Sequence, residues 1–277
     1  MMNSTINKYF KVLVLTLFFV SCFPAQSSNP FLKGDATVLS GGVVDENSRA
    51  VMIVLDASGS MSEPAADAPT KILMAKQVLE KVLSKIDSSI PIGLRVYGSS
   101  KPSYDMSVAC QDSILLVPVG LGNRGQMISK LRDLKPSGAT PISYAMRKAV
   151  EDLRFVDAAK KNVVLISDGM ETCGYDPCSL SESLKAAGVD IQFNVVGFNV
   201  NSDYAAKAQL ECIAKSSGGK FYTADTAAQL SESVLDGLNS FKPSINTVSG
   251  QIKEIGNKGK EQKITPLTTV DKVPNKK

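Results

Sequence analysis

The 277 residues carry 31 Lys and Arg against 27 Asp and Glu, and no His, so a Ser-His-Asp hydrolase, a His general base and an imidazole metal ligand are excluded. A zinc site would have to be built from thiolates or carboxylates. The basic surplus lies at the ends, in two Lys of residues 1–21 and in eight Lys against three acids of residues 242–277, which leaves a mildly acidic body without a stripe suited to nucleic acid.

Lys8 and Lys11 precede the apolar run Val12 to Val20, in which only Thr16 is polar. As a helix that run spans about 14 Å, far short of a bilayer core of about 30 Å. Residues 1–21 therefore read as a secretory signal and not as a membrane span. The run ends at Phe19-Val20-Ser21-Cys22, which resembles a bacterial lipobox with Phe19 where Leu is usual. Cys22 would then be acylated and become the first residue of a lipid-anchored chain. A plain cleavable signal with an incidental Cys is the other reading. Phe23 rather than Asp after the Cys resembles sorting to the outer membrane of a Gram-negative cell. Residues 22–48 follow as a linker.

Val51 to Leu55 is a short continuous apolar run, as expected of a central strand covered on both faces. Ile72, Leu73, Leu79, Val82, Leu83 and Ile86 recur at helical spacing. Residues 92–97 and 114–117 read as strands around a polar excursion from Gly98 to Asp112. Helices are expected over 127–134 and 142–155, a strand over 163–166, a helix over 180–187 and a strand over 191–196. A helix over 204–215, a short strand over 221–223 and a helix over 227–240 complete the body. This alternation predicts an α/β fold, a doubly wound, mostly parallel central sheet with helices on both faces, as one domain over 49–241. Gly41-Gly42 and Gly218-Gly219 lack the Lys and spacing of a phosphate cradle, and the second pair reads as a helix C-cap. The tail, 242–277, is rich in Lys, Gly, Asn and Pro and poor in aromatics, a composition expected to stay disordered.

Three places along this pattern offer oxygen ligands. Asp56-Ala57-Ser58-Gly59-Ser60 runs straight on from the first strand and sets a carboxylate and two hydroxyls at alternate positions. Such a segment alone is ordinary turn chemistry. Thr140, in Pro136-Ser137-Gly138-Ala139-Thr140-Pro141, precedes a helix and is also a candidate N-cap. Asp168 follows the strand at 163–166. Ligands in open sheets of this class bind beyond the carboxyl ends of the strands, where Asp56 and Asp168 fall. Hard oxygens in this number suit Mg²⁺, with Mn²⁺ as a substitute. The pattern Asp-x-Ser-x-Ser, then Thr, then Asp resembles the von Willebrand factor type A domain with its metal-ion-dependent adhesion site, across roughly residues 49–241. The resemblance implies a Rossmann-like fold, direct metal ligation by Ser58, Ser60 and Thr140, and Asp56 and Asp168 acting largely through water.

Cys110, Cys173, Cys178 and Cys212 remain once Cys22 is set aside, an even number that suits disulfides in an exported chain. The segment from Asp168 to Cys178 resembles a bacterial secreted subgroup of the same family. In the expected sheet order Cys110 lies near one edge and Cys212 toward the other, about 19 Å apart over four strand steps. A disulfide tolerates Cα atoms at most about 7 Å apart. That disfavours Cys110–Cys212 and favours Cys110–Cys173 with Cys178–Cys212, the swapped pairing staying open.

Taken together these residues imply binding and not catalysis. A lipid-anchored envelope domain would hold Mg²⁺ and present it to a carboxylate of a protein partner, in adhesion, envelope assembly or sensing. A metal-assisted hydrolase with Glu171 as base is the alternative, although Glu171 also reads as a solvated loop acid. A purely structural metal is the third reading. Asp56, on a loop at the surface end of the sheet, is expected to tolerate Ala without loss of the fold.

Overall fold

In the computed structural model, residues 45–102 and 104–241 are described. The signal segment with Cys22, all but the last few residues of the linker, and the tail 242–277 lie outside them. β1 (Arg49–Asp56) is buried from Ala50 onward because it lies inside the sheet, with a strand on either side. β2 (Ile92–Tyr97) and β4 (Lys160–Ser167) flank it in parallel, β5 (Ile191–Phe198) and β6 (Phe221–Ala224) continue beyond β4, and β3 (Ser113–Gly120) closes the other edge. The six strands run in the order β3-β2-β1-β4-β5-β6, and only β3 is antiparallel to its neighbour. Pro118 fits such an edge, where a missing N–H need not break an interior ladder.

Successive residues of β1 feed opposite cores. Val51, Ile53 and Leu55 pack with α1 (Lys71–Leu83), α3 (Arg124–Asp133) and α7 (Ala227–Asn239). Ala50, Met52 and Val54 pack with α4 (Ile142–Arg154) and α6 (Tyr204–Ser217), with α5 (Pro177–Ala186) against the margin of that core. The fold is the doubly wound α/β architecture expected from the sequence.

Differences from the sequence reading have local causes. α5 begins at Pro177, where Asp176 accepts from the Cys178 N–H, and its polar first turn gave no apolar signal. α3 starts at Arg124 for the same reason, its first turn being Arg124-Gly125-Gln126. Within the polar excursion, a short helix, α2 (Met106–Ala109), leads to the buried Asp112, which accepts from the Ser100 and Lys101 N–H groups at 2.8 and 3.0 Å. Gly218 caps α6 in the left-handed conformation, φ 79°. Two buried amides on adjacent strands, Asn162 and Asn194, both donate to the Gly237 carbonyl at 2.6 and 3.1 Å and so seat the end of α7 on the sheet.

Candidate metal centre

β1 ends at Asp56, and the chain then makes a single 3-10 turn over Gly59–Ser62. Asp56 is fully buried. One carboxylate oxygen, Oδ1, accepts from the Ser58 N–H at 2.7 Å. The other, Oδ2, accepts from the Tyr97 hydroxyl at 2.8 Å and the Ser167 hydroxyl at 2.7 Å. Tyr97 reaches it because it is the register partner of Asp56 on β2, and Ser167 because it ends β4 on the other side. The expectation that Asp56 sits on a tolerant surface loop is therefore corrected: it is a buried anchor with three donors. Burial, reinforced by the charge of Asp168, pushes its carboxyl up to about 6. Burial and the neighbouring Asp56 hold the Tyr97 phenol well above its ordinary range, so it stays a donor.

From Asp56 outward the oxygens form a chain. Ser58 Oγ and Ser60 Oγ are 3.1 Å apart, and Ser60 donates to Asp168 Oδ1 at 2.8 Å. Asp168 Oδ2 accepts from the Lys71 ammonium at 2.9 Å, and Lys71 also pairs with Glu63 at 2.7 Å. Burial opposes the lysine's charge, but Glu63 and Asp168 outweigh it and raise its pKa.

The loop carrying Thr140 is fastened to both others by its backbone. Gly59 N–H donates to the Gly138 carbonyl at 2.9 Å and Ser137 N–H to the Ala57 carbonyl at 3.2 Å. On the far side Thr172 N–H donates to the Thr140 carbonyl at 3.2 Å, and Thr140 N–H to Thr172 Oγ1 at 2.8 Å. This approach requires glycine at 138, where a Cβ would lie 2.5 Å from the Lys101 carbonyl oxygen. Thr140 does not cap α4, because Pro141 holds the N-cap position without a side-chain bond. The Ser143 N–H in the first turn instead donates to Glu171 Oε2 at 2.7 Å, while Glu171 Oε1 accepts from Cys173 N–H at 2.9 Å. Glu171 is thus a buried brace for two loops and not a solvated acid.

Two disulfides flank the region. Cys110 is bonded to Cys173, Cα atoms 5.4 Å apart, which ties the loop after Asp168 to the end of α2. Cys178 is bonded to Cys212, Cα atoms 5.5 Å apart, joining α5 to α6. The structure therefore brings the Asp56, Ser58, Ser60, Thr140 and Asp168 loops into one cluster. Tyr97, Ser167, Lys71 and Thr172, none of them singled out in the sequence, complete its surroundings.

The donor set fits a hard divalent cation: two carboxylates and three hydroxyls, with no soft ligand among them. Cys178, Glu182 and Cys212 form another cluster of ligand types among the described residues, but its two sulfurs are joined to each other and offer no thiolate. Met106 and Tyr175 are exposed and line one cavity with Thr172, and Met170, two residues beyond Asp168, is exposed as well. Arg147 lies over the Tyr144 and Tyr175 rings, 5.8 and 5.6 Å from their centroids.

Residues 50–236 match the von Willebrand factor type A domain. The chain is 30% identical to YwmD of Bacillus subtilis (strain 168) over 185 residues, which are 66% of this chain and 81% of that protein. A solved aerotolerance-related membrane protein from Bacteroides fragilis shares the fold with a TM-score of 0.54 at 19% identity, covering 69% of this chain and 99% of that one. So does proximal thread matrix protein 1 from the mussel byssus, solved with its MIDAS motif occupied by zinc, with a TM-score of 0.51 at 19% identity over 73% of this chain and 48% of that one.

Proposed function

Because the chain belongs to the von Willebrand factor type A domain family, we propose that Asp56, Ser58, Ser60, Thr140 and Asp168 hold Mg²⁺, or Mn²⁺ in its place, and that the ion binds an acidic side chain of a partner protein. The observation carrying this reading is the linked run of Ser58, Ser60 and Asp168 oxygens beside Asp56, on loops to which the backbone of the Thr140 loop is bonded. Bound there, the ion would act as a Lewis acid toward an anionic oxygen. The chain's own part is to hold the donors in place: Tyr97 and Ser167 orient Asp56, Ser60 orients Asp168, and Thr172 positions the Thr140 loop. The exposed apolar side chains beside the cluster supply contact area, and Arg147, which has no carboxylate partner among the described residues, favours an acidic partner surface.

Binding is favoured over hydrolysis by the state of Glu171. Both its oxygens are committed to backbone N–H donors, so it is poorly placed to take a proton from water. The test of the main reading is calorimetric titration with Mg²⁺ and Mn²⁺, followed by capture of envelope proteins with and without chelator. Thr140→Ala, which removes one direct ligand, should weaken metal binding at least tenfold and reduce capture in step. Chelator-insensitive capture would move the partner surface elsewhere and leave the ion a structural role.

We also propose that the chain is exported and lipid-anchored through Cys22 in the outer membrane of a Gram-negative envelope. No described helix is long and apolar enough to cross a membrane; in this reading the acyl chains on Cys22 hold the protein to the membrane. Cys22→Ala should shift the protein from the membrane fraction to the soluble one or leave the leader attached. Mass spectrometry finding an unmodified Cys22 on a cleaved chain would end the lipoprotein reading.

A further inference from the structure

We infer that Lys71 is a resident counter-cation of the proposed metal site, weakening its grip on the ion and strengthening the ion's pull on an anionic ligand; the inference rests on the metal reading above. Lys71 is the first residue of α1 and is only 5% exposed, and its ammonium lies 2.9 Å from an oxygen of the candidate ligand Asp168. Neither helix formation nor core packing asks for a lysine there. A cation in the first turn opposes the positive end of the helix dipole, and burying an ammonium is costly unless it is paired. Its two partners are Asp168, whose side chain is fully buried, and Glu63, whose side chain is 61% exposed. The buried partner of the ammonium is therefore the candidate ligand Asp168.

The charges decide the consequence. Asp56 and Asp168 offer two negative charges when ionised, and Lys71 returns one positive charge to the same buried cluster. Glu63, exposed and screened by solvent, offsets that charge only in part, so a divalent ion leaves the buried group more positive than it would be without Lys71. Repulsion between the ammonium and a divalent ion a few ångströms away should loosen metal binding by at least tenfold, the size it has even at the dielectric constant of water. The same residual positive charge favours an incoming carboxylate. If Lys71 served only to brace Asp168, its loss would loosen the metal instead. The two roles differ in sign.

The experiment titrates the full-length protein with Mn²⁺, reading bound metal by water-proton relaxation, and then titrates the loaded protein with acetate. Lys71→Met, which keeps the aliphatic stem, should bind Mn²⁺ at least tenfold more tightly and acetate several-fold more weakly than wild type. Unchanged or weaker Mn²⁺ binding by Lys71→Met would overturn the inference while leaving the metal site in place. Failure of the wild type to bind Mn²⁺ at all would instead remove the metal reading itself. Should Lys71→Met not fold, Glu63→Gln decides the matter, because it alters an exposed carboxylate and leaves the ammonium less offset. It should weaken Mn²⁺ binding several-fold, and no change would overturn the inference.

Discussion

Asp56→Asn should abolish metal binding and yet make the metal-free protein more stable at neutral pH. The carboxyl is fully buried and pushed up to about 6 from its unfolded value of 3.8, by burial first and by Asp168 second. A group whose pKa is raised on folding contributes stability below its unfolded value and loses it as pH rises through the folded one. Without metal, ionising Asp56 between about pH 4 and pH 6 therefore costs the fold on the order of 2–3 kcal/mol. Asparagine cannot ionise. Its carbonyl can keep the Ser58 N–H bond, and its amide can donate to the Tyr97 and Ser167 hydroxyls, which turn to accept. Alanine has no such option: it would strand the Ser58 N–H, at about 1–3 kcal/mol for a group left unsatisfied, and leave the Tyr97 and Ser167 hydroxyls only each other and the Gly169 carbonyl. In chelator, urea unfolding of wild type and Asp56→Asn should give similar stabilities at pH 3.5 and a clear advantage to the variant at pH 7. Excess Mg²⁺ should close that gap for wild type alone, by about 2.7 kcal/mol at a hundredfold excess over Kd. A variant that still binds Mg²⁺, or a wild type whose relative stability does not change over this range, would remove Asp56 from the role given to it.

The proposed ligand set was legible in the sequence because hard-oxygen chemistry uses few residue types and the ends of buried strands are easy to find. The continuous run 51–55 marked a central strand, and the residues after it had to lie at the sheet's carboxyl edge. What surrounded the ligands was hidden by dual use. Tyr97 reads as the last apolar residue of β2, and only the parallel register, which sets it opposite Asp56, turns its hydroxyl toward the carboxylate. Ser167 looks like spacing before Asp168, yet its hydroxyl bonds the carboxylate of the neighbouring strand. Lys71 did leave a legible trace, since a cation at the first helical position opposes the helix dipole and so asks for a partner. Glu171 was misjudged because nothing local shows that its two acceptors are the N–H groups of Ser143 and Cys173. Boundaries moved where the first helical turn was polar, at Arg124 and Pro177, because periodicity only begins at the first buried residue.

Removing the Cys110–Cys173 bond should cost both stability and metal affinity, whereas removing Cys178–Cys212 should cost stability alone. The bridged residues are 63 apart in the first case and 34 in the second. Chain-entropy arguments put either loop at about 4 kcal/mol, the longer one slightly more. Cys173 lies one residue beyond Thr172, whose hydroxyl and N–H both hold Thr140, and its own N–H bonds Glu171, which braces the start of α4. Freeing Cys173 would let the loops bearing Asp168 and Thr140 drift relative to each other, and a small error in donor placement is enough to weaken an octahedral ion. Cys178 instead lies in the first turn of α5 and meets Cys212 on α6, so its loss unlinks two helices without reaching a ligand loop. Cys110→Ser with Cys173→Ser should lower Mg²⁺ affinity at least tenfold, and Cys178→Ser with Cys212→Ser should leave it within twofold of wild type. Both double variants should unfold at lower urea. Equal metal affinity in the two would mean that the loops hold their ligands without the first disulfide, through the bonds of Thr172 and Gly138 alone.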